Sequence, residues 1–408
     1  MIYPRVSLFA MMLASAGIPL YIHLPQFAAV ELGIGLGALG GILLAIRLVD
    51  LVQDPLIGWI VDRWPGAQLK FAMLAAGGLA LGFPLLFSLT PGPGVILQLV
   101  LVLIGLFTAY SLGMILLYGR SATLAARAEP RELLTLAGFR EGGMLGGVLL
   151  AAIAPAVLVR LGAPGQGYAV FGFVLGGFAL AAAVLTRPVW TRPAVTGQPL
   201  SVVALARAGA LRLLVLALLN SLPVALTSTL FLFFADDRLN LAGYAGGLLV
   251  LFFLAAGLSV PFWAWLSRRA GPKQTLLIAM PLAIASFAGA AFLGPGSLPG
   301  FALICAASGA ALGADMVLLP AMFSIALTKA GLNASTAFGI WSFAGKLALA
   351  LAAALALPLL EHHGFRPGAD NSRQALGALN LAYAVLPCVL KTAAFAFALT
   401  LPEERPAA

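Results

Sequence analysis

Charge is scarce in this chain. Of its 408 residues only 9% are Asp, Glu, Lys or Arg, against 62% hydrophobic, and the mean hydropathy is +1.05. A soluble domain exposes too much surface to cover it with so little charge, so a soluble fold is excluded. Cysteine and histidine are scarcer still, at two and three. Cys305 and Cys388 both lie in apolar runs and read as small buried side chains, which leaves no disulfide framework. Glu361, His362 and His363 are neighbours in sequence and do not converge as metal ligands do, so no metal centre is expected there. The chain also lacks a glycine-rich loop closing in Lys-Ser or Lys-Thr, hence any phosphate cradle for an ATP-driven pump. Nothing reads as a catalytic set or a cofactor site, and the expectation is a protein that is not an enzyme.

What the chain has in abundance is long apolar runs. A spanning helix needs about 20 apolar residues. The runs predict twelve spans, at 6–28, 34–62, 69–89, 95–119, 134–160, 168–186, 209–234, 242–267, 274–294, 299–327, 335–360 and 376–401. The fold class is therefore an all-α polytopic membrane protein. Arg5, the apolar run after it and Ala14-Ser15-Ala16 imitate a signal peptide. The run continues to Phe27, so this segment is read as a retained first helix.

The polar stretch 187–207, rich in proline and small residues, divides two six-helix bundles, 1–186 and 208–408. An internal echo supports the division. Pro55-x3-Trp59-x3-Arg63 closes the second span, and Pro261-x3-Trp265-x3-Arg269 closes the eighth about half a chain later.

The net charge of +9 needs no nucleic acid. Most Lys and Arg fall on one set of alternate loops, which is the positive-inside bias and places both termini in the cytoplasm. The expected setting is a bacterial inner membrane, with lipids and a small-molecule solute as partners and a monomer as the working state. Tyr3, Trp64 and Trp190 read as interfacial anchors.

The second span carries charge where the bilayer is least tolerant of it. Arg47, Asp50 and Asp54 are spaced i, i+3 and i+7 and share one helix face. Each costs about 2.5–3.5 kcal/mol at mid-membrane on insertion scales, so they need partners or a use. Pro55 has no N–H, which frees the carbonyl of Leu51 one turn from both carboxylates. Two carboxylates and a spare carbonyl are hard oxygen ligands for a small cation, or a seat for a proton. At the spacing of the Trp motif, Arg47, Asp50 and Asp54 fall on Phe253, Ala256 and Val260: the scaffold repeats and the charges do not.

Arg47-x2-Asp50-x3-Asp54-Pro55-x2-Gly58-x3-Asp62-Arg63 resembles the signature of the glycoside–pentoside–hexuronide:cation symporters, the melibiose-permease branch of the major facilitator superfamily. Gly138-Phe-Arg140-Glu141-Gly-Gly, Lys346 and Gly364-Phe-Arg-Pro-Gly agree with it. The resemblance implies a twelve-helix major facilitator fold and cation-coupled symport of a glycoside, sugar or organic acid by alternating access. It implies that Asp50 and Asp54 bind the coupling ion, Na+ or H+, and that Arg140 and Lys346 link ion and substrate. Two positions depart from the family. The fourth span, around Tyr110-Ser-Leu-Gly-Met114, has no acid, and neither does the stretch 6–30. The first departure makes a proton at least as eligible as sodium; the second argues against a melibiose-like sugar. A proton-coupled exporter or lipid-type carrier of the same fold is the alternative, and a transport-inactive membrane sensor or assembly protein the third.

Further candidates follow from position. Arg140 and Glu141 are adjacent and point about 100° apart; Arg140 is expected inward, near Asp50 or Asp54. Lys346 in the eleventh span and Asp315 in the tenth form a candidate pair, and Lys391 is read as snorkelling. Tyr21, His23, Tyr110, Asn220 and Trp341 are cavity candidates. Asp62 and Arg63 read as a cytoplasmic gate contact. The small-residue run Gly142–Gly147 reads as close helix packing.

Overall fold

The computed structural model describes residues 2–162 and 167–402, and the side chains of residues 18, 21, 22, 26, 36, 37, 47, 156 and 353 lie outside the described set. Among the described residues there is no named strand, and ten helices are long and apolar enough to cross a membrane. Two more complete the twelve. The first, Tyr3–Ile18 followed by Leu24–Val30, is interrupted by a π-turn at Pro19–His23. The second, Leu36–Arg63, is one continuous helix of 28 residues whose charges lower its hydropathy.

Pro55 lies inside that helix without ending it. Its neighbours are strong helix formers, and the missing bond costs one carbonyl its partner rather than the helix its course. The remaining helices are Gln68–Phe87, Val95–Gly119, Pro130–Arg160, Tyr168–Trp190, Ala210–Phe233, Ala245–Ala270, Pro272–Ala290, Leu298–Lys329, Ala334–His362 and Arg373–Asn380 continued by Leu386–Leu399. Each expected span has its helix, with ends displaced by a few residues.

The chain forms two compact units. The first comprises Met1–Ala204 with Leu327–Phe343, and the second comprises Leu205–Ala326 with Ala344–Ala408. The end of the tenth helix and the start of the eleventh thus pack with the first six helices. Backbone bonds hold them there: Gln198 N–H donates to Gly331 O at 2.7 Å, and Asn333 N–H donates to Gln198 O at 2.9 Å.

Within the first unit, Gly143 and Gly147 on the fifth helix lie against the backbone of the first at Ser7 and Met11, where any Cβ would collide. The small-residue run is packing, as its composition implies. Trp190 corrects the expectation of an interfacial anchor. It is 1% exposed and packs edge-on against Phe9, because the sixth helix runs on past the apolar run into the bundle's own core. Trp64 is exposed, as an anchor should be. The core of the second unit gathers Leu230, Phe234, Phe301, Leu379 and Tyr383, with the Phe234 and Tyr383 rings stacked at 4.0 Å. Both cysteines are free.

Candidate functional site

The second helix brings its acids inward. Asp50 is 1% exposed and Asp54 is fully buried, while Leu48, Val52 and Leu56 of the same helix face outward. That follows from the 3.6-residue period: positions 50 and 54 share a stripe, and the apolar residues take the opposite one. Arg47 lies on the same helix, its side chain outside the described set.

Polar side chains from three helices bond around the two carboxylates. Gln53 Nε2 donates to Asp50 Oδ1 at 2.5 Å, and Thr108 Oγ1 on the fourth helix donates to Gln53 Oε1 at 2.9 Å. Ser342 on the eleventh helix donates its hydroxyl to Asp54 Oδ2, also at 2.5 Å. Gly339 makes that reach possible. A Cβ there would sit 2.5 Å from the carbonyl oxygen of Asp54, so only glycine lets the eleventh helix come this near the second. Charge-assisted bonds of this kind are roughly twice as strong as neutral ones. Carboxylate and hydroxyl oxygens such as these are also the hard ligands a small cation takes.

Near one end of the same helix lies a second polar group. Asp62 accepts from the backbone N–H of Ser335 at 3.2 Å and of Thr336 at 2.7 Å, and from the Thr336 hydroxyl at 2.8 Å. These are the unpaired donors of the first turn of Ala334–His362, so Asp62 caps a helix distant in sequence and sits at the positive end of its dipole. Gly58 and Gly119 lie against Ser335 at the same contact. Arg120 donates to the Val61 carbonyl at 2.5 Å. Burial lowers the Arg120 pKa and the Asp62 charge pulls it back up. Arg63, the other half of the expected gate, is exposed.

Arg140 and Glu141 correct the geometric expectation. They are adjacent, yet both are buried and Arg140 Nε donates to Glu141 Oε1 at 2.9 Å. The arginine stem is long enough to curl back across the 100° between them. Tyr118 fixes the arrangement: its hydroxyl donates to the same Glu141 oxygen at 2.8 Å, and the guanidinium carbon stands 3.7 Å above its ring. The hydrogen bonds of Arg140 go to Glu141 and Ser121, not to Asp50 or Asp54. Arg140 Nη2 and Glu141 Oε2 are left buried without a hydrogen-bond partner.

In the second unit, Asp315 pairs with Lys391 and not with Lys346. Lys391 Nζ donates to Asp315 Oδ2 at 2.5 Å and to Asn220 Oδ1 at 2.6 Å, and all three residues are buried. Lys391 is no snorkelling residue, because the twelfth helix packs on the seventh and the ninth and turns that face inward. Lys346 is half-buried and itself engaged. Tyr110 and Trp341 are half-buried in the first unit, Trp341 beside Phe338. His23 packs on Tyr168 and Phe171, and the Tyr21 side chain lies outside the described set. Among the described residues no group of three or more His, Cys, Asp and Glu gathers as a metal centre.

Twelve helices, a membrane-buried acid pair and a capped helix start belong to a transporter of the major facilitator fold. The chain belongs to the MFS/sugar transport protein family, whose profile matches residues 6–403; this is the melibiose-permease-like family that the second helix resembles. The fold is similar to that of a bacterial homologue of the iron transporter ferroportin in an outward-facing state, with TM-score 0.71 and 15% identity over 97% of this chain and 99% of that one. It is also similar to the major facilitator transporter FucP in its outward conformation, with TM-score 0.70 and 15% identity over 98% and 99%. A variant of the E. coli fucose:proton symporter FucP matches at TM-score 0.70 and 15% identity, over 98% of each chain. No curated protein matches the sequence.

Proposed function

We propose that the protein is a secondary active transporter that couples the movement of a small polar solute, a sugar or glycoside first, to a cation bound at Asp50 and Asp54. One observation carries this reading: both acids are out of water on a single face of a membrane-spanning helix, with an amide N–H donating to one and a hydroxyl to the other. Charge buried at this depth is costly unless something offsets it, which is the reason to expect a use for these two acids. A bound Na+ or H+ cancels one unit of negative charge there, and with it part of the cost of carrying a loaded site between the two faces by alternating access. Arg140, Glu141 and Lys346 are the groups assigned to linking ion and solute, and the contact of Asp62 with the start of the eleventh helix is assigned to a gate. Both termini in the cytoplasm of a bacterial inner membrane and a monomeric working unit complete the reading.

The test is solute uptake into proteoliposomes under a sodium gradient, a pH gradient and neither. Gradient-driven accumulation that Asp54→Asn abolishes supports the reading. Equal accumulation with and without either gradient, unchanged by the substitution, overturns it.

A further inference from the structure

The buried polar cluster of the second unit has a form that packing alone does not explain. Lys391, Asn220 and Asp315 come from three helices and meet within one hydrogen-bond shell. Asp315 is 7% exposed, and only one of its oxygens is used: Oδ1 is buried with no hydrogen-bond partner. Lys391 spends two of its three N–H groups, and Asn220 gives its carbonyl to Lys391, which leaves its amide N–H groups as donors. A cluster that served only to tie helices together would be completed, or replaced by apolar side chains at no loss. At the spacing that relates the two Trp motifs, Asn220 and Asp315 fall on Ala14 and Ala109, both buried. The first half closes these positions with alanine.

We propose that Asp315, Asn220 and Lys391 form the solute's hydroxyl-binding site in the second unit: a solute hydroxyl donates to Asp315 Oδ1 and accepts from the Asn220 amide, with Lys391 holding the carboxylate in place. An acceptor beside a donor is the pattern that one hydroxyl satisfies in both directions, and neither a simple anion nor a cation does so. The stretch 6–30 contains no acid, so the first helix offers no carboxylate acceptor for this purpose. Oδ1 is closed to solvent in this structure, so a solute reaches it only when the helices around it part. Binding then removes the unmet acceptor. This inference rests on the proposed solute-transport function and adds to it the side chains that select the solute.

The test is a chemical double-mutant cycle on the purified full-length protein in detergent. A series of nitrophenyl glycosides and their single-deoxy counterparts is titrated by calorimetry against the native protein and Asp315→Asn. The expected result is that one glycoside binds, that Asp315→Asn weakens it about 10-fold or more, and that removing one particular hydroxyl costs the native protein a similar factor. The two losses are expected not to add, since each removes the same bond. Because Asp315→Asn leaves Lys391 unpaired, the charge-balanced pair Asp315→Asn with Lys391→Met is measured alongside, with its melting temperature. A double variant that melts like the native protein and still binds weakly supports the proposal. Native-like binding in either variant, or losses that add, overturns it and leaves the cluster a structural tie. If no glycoside binds the native protein, the sugar reading falls and this inference with it. If binding is intact but insensitive to Asp315, only this inference falls.

Discussion

Asp54 and Ser342 share a hydrogen bond of 2.5 Å between the second and the eleventh helix, far apart in sequence. The bond fixes one carboxylate oxygen of the proposed ion site and ties it to a helix whose residues are divided between the two units. An ion bound at Asp54, as proposed, would compete for the oxygen that Ser342 holds.

Ser342→Ala removes that donor and one oxygen a sodium ion would use. Hydrogen bonds to ionised groups contribute about 1.5–3 kcal/mol, so apparent sodium affinity is expected to fall roughly 10-fold or more. Ser342→Thr keeps the hydroxyl and is expected to stay within a few-fold of native. Sodium titration of uptake distinguishes the two.

Gly339→Ala places a methyl group against the Asp54 carbonyl, backbone against side chain, with nothing flexible to yield. Overpacking costs of about 1–3 kcal/mol are expected. The variant should melt earlier in detergent and show the same weakened ion dependence as Ser342→Ala, since the Ser342 hydroxyl is carried away with the helix.

Asp62→Ala strips the cap from the eleventh helix. Loss of a cap costs about 1 kcal/mol, so amide exchange at Ser335 and Thr336 should accelerate roughly fivefold. Exchange measured by mass spectrometry on peptides spanning 334–343 checks this, and Asp62→Asn, which keeps an acceptor, should fall between the two.

Glu141→Gln leaves Arg140 as a buried charge with no counter-charge among its hydrogen-bond partners, and breaking a buried pair costs about 3–5 kcal/mol. The charge-balanced pair Arg140→Met with Glu141→Gln should recover much of that loss. Thermal melts of the single and double variants in detergent give the comparison.

The fold was legible because hydropathy runs of span length are hard to read any other way, and Asp50 and Asp54 stood out because a charge in such a run is rare. Their partners did not stand out. Ser221, Thr227, Thr229 and Ser308 all bond carbonyls of their own helix three or four residues back, whereas Thr108 and Ser342 reach across to other helices. Sequence does not separate these cases, since a hydroxyl in an apolar helix is satisfied either way. Lys391 departs from its sequence expectation for a related reason. It lies two turns from the end of the last helix, within snorkelling distance, and only the packing of that helix shows which way it faces. Adjacent Arg140 and Glu141 defeated a rule about helix faces because a side chain as long as arginine need not stay on its own.

The most direct measurement of the central claim is ion-dependent counterflow in proteoliposomes, comparing the native protein with Asp50→Asn and Asp54→Asn in sodium, in lithium and across a range of pH. If Asp50 and Asp54 hold the coupling ion, the native protein responds to at least one of these cations and both variants lose the response. Counterflow that ignores all three cations, at the same rate in all three proteins, would show that the acids are scaffold and contradict the account.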